Sequence, residues 1–123
     1  MTYYCIRWII EFNFDNDRPI YIQLVDSLKK YIISGKIKPG DRLPSVRDLA
    51  LMIKVNPNTI QRALSELEDA SLIYTERTNG KFVTCDKEII AKYKNDLIKK
   101  ETDFYLSCMN ELGLSKKEVI KYL

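Results

Sequence analysis

The residues best suited to chemistry in this chain sit in one short stretch, Asn56-Pro57-Asn58-Thr59-Ile60-Gln61-Arg62. A glutamine amide can pair bidentately with adenine and an arginine guanidinium with guanine, while threonine suits a phosphate or a thymine methyl. Asn58, Thr59, Gln61 and Arg62 are polar; at helical spacing Ile60, Ala63 and Leu64 point inward. This is equipment for reading base edges. Bond-making chemistry lacks its usual parts, because histidine is absent. With it go the commonest general base, the Ser-His-Asp and Cys-His constellations and most zinc sites. Cys5, Cys85 and Cys108 form no C-x-x-C pair, no glycine-rich phosphate loop is present, and the scattered Asp, Glu, Lys and Tyr make no paired arrangement. No enzyme activity, metal or cofactor is expected.

Composition narrows the class further. The chain has 123 residues, 46% hydrophobic and 30% charged, with 20 Lys+Arg against 17 Asp+Glu for a net charge of +3. That is one compact domain, or a small domain with an appendage. No apolar run approaches the ~18–20 residues that span a bilayer. Ile6-Arg7-Trp8-Ile9-Ile10 lacks the cationic lead and cleavage pattern of a signal peptide. An odd number of widely spaced cysteines argues against a disulfide framework and for a reducing, cytoplasmic setting. The overall charge is too small to argue for nucleic acid unaided. Its distribution is more telling: Arg42, Arg47, Lys54 and Arg62 face the single Asp48 between positions 42 and 62.

The elements that must position these residues follow from periodicity and punctuation. Tyr3 to Phe14 is aromatic and β-branched, as a strand would be. Asp15-Asn16-Asp17 offers a turn and a candidate cap, with Pro19 early in an amphipathic helix that runs to Ser34 and stops at Gly35. A connector punctuated by Pro39-Gly40 and Pro44 leads to Ser45, which with Asp48 makes a capping-box arrangement for a short helix over Val46–Ile53. After Lys54-Val55-Asn56, Asn56 can cap and Pro57 fits the first position of a helix reaching about Ala70. Leu72–Thr75 and Phe82–Cys85 then read as a hairpin turning at Asn79-Gly80. Asp86 caps a long helix, roughly Lys87 to Glu111, and Ser115 with Glu118 starts a terminal helix through Leu123.

Two helices joined by a turn of three or four residues are a helix-turn-helix, and a following hairpin makes it winged. The second helix must project into a major groove about 12 Å wide, where its N-terminal amides would also attract phosphate. Arg77 and Lys81 beside Asn79-Gly80 give a wing that can reach phosphates or the minor groove. Taken singly, each feature has a plainer meaning. A polar face is commonly just solvated, Asn56-Pro57 is a common cap, and Asn-Gly is a common turn. Their conjunction is what argues for DNA. The expected architecture is mainly α with a small β-hairpin: residues 1–18 as a strand or arm, 19–85 as the winged helix-turn-helix domain, and 86–123 as a two-helix tail.

At these residues the chain resembles the GntR-type bacterial transcription regulators. The resemblance is carried by Ser34-Gly35-Lys36-Ile37-Lys38-Pro39-Gly40-Asp41-Arg42-Leu43-Pro44-Ser45-Val46-Arg47-Asp48-Leu49-Ala50, by Val55 through Leu64, by Leu67-Glu68 with Leu72-Ile73, and by the preceding Pro19-Ile20-Tyr21-Ile22-Gln23-Leu24. It implies a base or phosphate contact from Arg47, DNA contacts from Ser45, Asn56, Asn58, Thr59, Gln61 and Arg62, and a wing contact around Asn79, Gly80 and Lys81. Many members have Arg where this chain has Gln61, so the resemblance does not carry an arginine–guanine contact to that position. Asp41 and Arg42 fit either a turn bond or ion pair holding the connector, or a DNA contact.

In the tail, Ile90, Leu97 and Phe104 recur every seven residues, and Tyr93, Tyr105 and Cys108 widen the stripe. So much apolar surface needs a partner. Folding back on its own domain is one answer. The other is dimerisation, because the tail resembles the dimerisation arm of the small YtrA-like subfamily. Cys108 reads as a buried thiol or a redox handle, and Tyr93, Phe104 and Tyr105 as packing or the lining of a small pocket. Dimerisation also meets an energetic need, since one recognition helix buries only ~600–1,000 Å². The function expected is therefore a dimeric, sequence-specific DNA-binding repressor on an inverted-repeat operator, and the resemblance implies control of its own operon and of neighbouring transporter or stress genes. The alternative is a winged-helix protein–protein adaptor without operator preference. The sequence specifies neither an operator nor a small-molecule effector, and no membrane partner is expected.

Overall fold

The computed structural model describes residues 14–123, so all but Phe14 of the strand expected over Tyr3–Phe14 lies outside the described residues. The chain divides into two compact units, one ending at Ile90 and the other Ala91–Leu123. In order, the elements are α1 (Ile20–Ile33), α2 (Val46–Ile53), α3 (Pro57–Asp69), β1 (Ile73–Glu76), β2 (Gly80–Val83), α4 (Lys87–Glu111) and α5 (Lys116–Ile120). Among the described residues no helix is long and apolar enough to cross a membrane. The fold is mainly helical with a two-stranded antiparallel hairpin, as the sequence requires.

Helix α1 buries Leu24, Val25, Leu28 and Ile32 at three- and four-residue spacing. Its start departs from expectation. Pro19 takes the cap position itself, with no side-chain cap bond, and Asp15 instead accepts from the Asp17 amide within its own turn. The organising group is Gln23, a buried amide. Its Oε1 accepts from Asp15 N at 2.9 Å, and its Nε2 donates to the carbonyls of Asp15 at 3.0 Å and Arg18 at 2.8 Å. One side chain thus staples the segment before α1 to the first turn of the helix.

The connector between α1 and α2 is more structured than its composition indicates. Asp41 accepts from Lys38 N at 2.9 Å and its own amide returns to Lys38 O, closing a turn over Gly40. The backbone then runs beside β2. Gly40 N donates to Val83 O, Val83 N to Asp41 O and Leu43 N to Lys81 O, all at 2.8–2.9 Å, with a bridge between Arg42 and Phe82. The connector therefore supplies a third strand-like edge to the wing. Ser45 then caps α2, its Oγ accepting from Asp48 N at 3.1 Å. The Asp48 carboxylate makes no return bond among the described residues, being one methylene shorter than the glutamate of a full capping box.

The turn between α2 and α3 is compact because Lys54 adopts a left-handed conformation (φ 62°), letting Val55 N reach back to Ala50 O at 3.2 Å. Asn56 Oδ1 then accepts from Asn58 N at 2.8 Å, and Pro57 occupies the first helical position. Ile60, Ala63, Leu64 and Leu67 of α3 are all at most 1% exposed, and α3 packs on α1, α2 and β1. A second left-handed residue, Ser71 (φ 62°), closes α3. The hairpin pairs Ile73 with Val83, Tyr74 with Phe82, Thr75 with Lys81 and Glu76 with Gly80. Its loop is the three residues Arg77-Thr78-Asn79, closed by Asn79 N on Glu76 O. Of the expected Asn-Gly pair, only Gly80 (φ 102°) takes positive φ, so this is a longer loop rather than a two-residue turn.

A polar cluster ties wing to helix. Lys81 Nζ lies 3.0 Å from Glu68 Oε1 and 2.9 Å from Thr75 Oγ1, and Thr75 donates to the same carboxylate oxygen. The Thr75 hydroxyl and the Lys81 ammonium hold the Glu68 carboxyl below its ordinary range.

The tail begins with Asp86 Oδ1 accepting from Glu88 N and Ile89 N. Helix α4 contains no fully buried residue. It ends at Gly113 (φ 87°), where Gly113 N bonds Asn110 O and Leu114 N bonds Met109 O. Ser115 and Glu118 form a complete capping box for α5, which stops at Ile120 rather than Leu123. Within this unit Val119 is buried against an apolar groove lined by Tyr105 and Leu106.

Two predictions follow from the buried amide and the wing tie. Gln23→Leu fills the same space without the hydrogen bonds and should lower unfolding free energy by about 1–3 kcal/mol, read from a urea midpoint at unchanged slope. Because Glu68 is depressed in the folded state, its contribution is present above the ordinary carboxylate range and lost as pH falls through the folded-state value. The stability gap between the protein and its Glu68→Gln variant, followed by urea midpoints across pH, should accordingly be widest above the ordinary carboxylate range and shrink as pH falls below it.

Candidate nucleic-acid interface

Burial of Ile60, Ala63, Leu64 and Leu67 fixes the rotation of α3 about its own axis. Asn56, Asn58, Gln61 and Arg62 are left exposed, with Thr59 half-buried at the edge. The N-terminal amides of α3 are not open to an anion in the way the sequence suggests. Pro57 has none, Asn58 N is taken by Asn56 Oδ1, and Thr59 N and Ile60 N both reach Asn56 O at 3.0–3.1 Å. What this end of the helix offers is therefore side chains. Asn56 commits its oxygen to the cap and keeps its Nδ2 donors. Gln61 Nε2 makes only a long contact of 3.5 Å to Ser65 Oγ, so its amide edge is largely uncommitted.

Arg62 is held by an aromatic ring rather than a carboxylate. Its guanidinium carbon sits 3.6 Å from the centroid of Tyr21, on α1. Arg47 and Lys54 are exposed and carry no ion pair among the described residues. Ser45, whose Oγ caps α2, is exposed beside them. The mutually exposed cations Arg47, Lys54 and Arg62 thus belong to the two helices and the turn of the motif, with Asp48 the one nearby acid in that stretch.

On the wing, the residues singled out from sequence are less available than the dipeptide pattern implied. Lys81 is committed to Glu68 and Thr75, its side chain 22% exposed. Asn79 Nδ2 donates to Glu76 Oε2 at 3.0 Å. Gly80 opens β2 instead of forming the tip, and a Cβ there would lie 3.4 Å from Arg42 Nε. The guanidinium of Arg42 therefore lies along the wing beside Gly80, whose own requirement for glycine comes from its φ of 102°. This resolves the pairing of Asp41 and Arg42: Asp41 makes the turn bond, while Arg42 has no carboxylate partner among the described residues. The exposed groups at the tip are Arg77 and Thr78.

Tyr21 falls at helical spacing from Leu24, Val25 and Leu28 on α1, and neither the type nor the spacing of Glu68 sets it apart; only the fold brings them to Arg62 and Lys81. In the tail, Ile90, Tyr93, Leu97 and Cys108 are half-buried, while Phe104 is 68% and Tyr105 39% exposed. Ile98 and Leu112, at 53% and 73%, extend that apolar exposure. Among the described residues no cluster of His, Cys, Asp and Glu could hold a metal ion.

Comparison with known proteins agrees with this geometry. The family model of bacterial regulatory proteins, gntR family, matches residues 20–83. The chain is 39% identical over 108 residues to the HTH-type transcriptional regulator YhcF of Bacillus subtilis, covering 88% of this chain and 89% of that protein. It is 40% identical over 84 residues to the HTH-type transcriptional repressor YtrA of the same organism, covering 68% and 65%. A solved GntR family transcriptional regulator from Listeria monocytogenes superposes with a TM-score of 0.83 at 44% identity, covering 89% of this chain and 96% of that one. With the winged helix-turn-helix, the outward polar face of α3 and these matches together, the chain belongs to the GntR family of bacterial regulatory proteins, among the relatives of YtrA, and is a DNA-binding regulator rather than an enzyme.

Proposed function

We propose that this chain is a cytoplasmic, dimeric repressor that binds an inverted-repeat operator upstream of its own operon and of neighbouring transporter or stress genes. The observation that carries the reading is the outward face of α3. Asn58, Gln61 and Arg62 stand exposed opposite a fully buried face, flanked by Arg47 and Lys54 without acidic partners among the described residues. In this reading α3 enters the major groove, with Gln61 and Arg62 toward base edges and Thr59 and Asn58 at its leading end. Arg47, Ser45 and Lys54 contact phosphates at the groove's edge.

The wing lies along the neighbouring backbone. Arg77, which the sequence pattern already places in this role with Lys81, and Thr78 at its tip make the contact, and Arg42 along its side takes the part expected of Lys81. Lys81, Asn79 and Gly80 serve chiefly to shape the wing, because the polar groups of the first two are already engaged and Gly80 supplies a positive φ of 102° at the start of β2. Repression follows by occlusion of the promoter, in keeping with the name that YtrA carries.

The tail supplies the second copy. Ile90, Leu97 and Phe104 lie seven residues apart on one face of α4, with Tyr93, Tyr105 and Cys108 beside them. No residue of that helix is fully buried in the single chain, and Phe104 and Leu112 are mostly exposed. A second copy covering that face pairs two α3 helices for half-sites about one helical turn, or a multiple of it, apart.

Arg47→Ala and Arg62→Ala should each weaken binding to the DNA upstream of the gene by about 1–3 kcal/mol, measured by fluorescence anisotropy at a fixed salt concentration. A base contact appears as loss of preference at one operator position; a phosphate contact lowers the log-log salt slope by about 1 without changing preference. No loss from either substitution removes α3 as the reading helix. For the tail, Phe104→Asp should give a monomer in sedimentation velocity and lower operator affinity by about tenfold or more, since one half-site contact remains. A variant that stays dimeric with full affinity places the interface elsewhere.

A further inference from the structure

We propose that Tyr21 is a positioning residue for DNA reading: its ring fixes the Arg62 guanidinium in the orientation from which that side chain meets the duplex. The inference rests on the reading of Arg62 as a DNA contact. The guanidinium carbon lies 3.6 Å from the ring centroid. That is the contact distance of two flat groups, so the guanidinium sits over the ring and not beside its edge. Tyr21 is half-buried on α1 and Arg62 exposed on α3. The two helices pack on each other, and Leu24 and Leu28 of α1 with Ile60 and Leu64 of α3 are each at most 2% exposed, so the backbones that carry ring and cation are held at a fixed spacing.

The chemistry of the restraint matters. A carboxylate would hold the arginine by consuming its N–H donors and cancelling its charge, as Glu68 does to Lys81 and as Asp15 and Asp26 do to Arg18. A ring engages only the face of the guanidinium. Its five N–H groups lie in the plane and stay available for guanine or a phosphate, and the positive charge is retained. Among the described residues no carboxylate lies within ion-pair distance of Arg62. The stack therefore removes rotamer freedom from a long side chain before DNA arrives while leaving its recognition edge untouched.

The test is a double-mutant cycle in the full chain, read as dissociation constants for the DNA upstream of its gene, with thermal melts to verify folding. Tyr21→Phe, which keeps the ring, should bind within about twofold of the natural protein, whereas Tyr21→Leu should lose about 3- to 10-fold. In an Arg62→Ala background Tyr21→Leu should add less than about twofold. If its loss persists undiminished there, or if Tyr21→Phe is as damaging as Tyr21→Leu, the positioning role is overturned while Arg62 remains a DNA contact. If Arg62→Ala alone leaves binding unchanged, the underlying reading of Arg62 fails and the proposal with it. An NMR measurement on the free natural protein is independent of any variant's folding. The Arg62 Cδ protons and Nε–H should be shifted upfield by the ring current, and random-coil values for them would overturn the stack.

Discussion

The orientation of one helix decides almost everything else in the winged domain. Ile60, Ala63, Leu64 and Leu67 are sealed against α1, α2 and β1. Fully burying a large aliphatic side chain is worth roughly 1.5–3 kcal/mol, so rolling α3 by even one residue would forfeit several such contributions at once. Because successive residues turn by about 100°, that seal dictates which groups face outward. The outward polar face of α3 is in this sense the remainder of the core: Asn58, Gln61 and Arg62 stand where they do because their neighbours cannot.

The wing depends on the same helix by a different route. Its strands bond to the connector as well as to one another, through Gly40, Asp41 and Leu43. Its outer register is anchored by Lys81 and Thr75 meeting Glu68 near the end of α3. Helix, connector and hairpin therefore form one continuous polar and backbone network. Residues that look like spare wing charges in one dimension become struts in three.

Much of the fold could be read in advance, and the reasons are local. Ser45, Asn56, Asp86 and the Ser115–Glu118 pair announce helix starts by chemistry that acts within a few residues. The end of α4 was legible for the same reason, through Gly113. The start of α1 was not, because the Asp15 carboxylate is taken by the Asp17 amide and Arg18 within its own turn while Gln23, counted only by its position in a helix, does the organising. The hairpin strands run Ile73–Glu76 and Gly80–Val83 rather than Leu72–Thr75 and Phe82–Cys85, because the turn is the three-residue loop Arg77-Thr78-Asn79 and Gly80 already pairs with Glu76. At the interface, Gln61, Asn58, Arg47 and Arg62 could be picked out by type and spacing. The commitment of Lys81 and Asn79, the path of Arg42 over Gly80 and the ring beneath Arg62 could not, since each depends on partners brought together only by packing.

Lys54 sits in the left-handed region at the elbow of the motif. A non-glycine residue there carries a penalty of roughly 1 kcal/mol that glycine would avoid. The elbow therefore holds a cation where backbone economy alone favours a bare hydrogen. A thermostabilisation campaign guided only by folding energy would select glycine at this corner, and in doing so would thin the positive field around Arg47 and Arg62. Ruggedness and surface charge are set in opposition at a single residue.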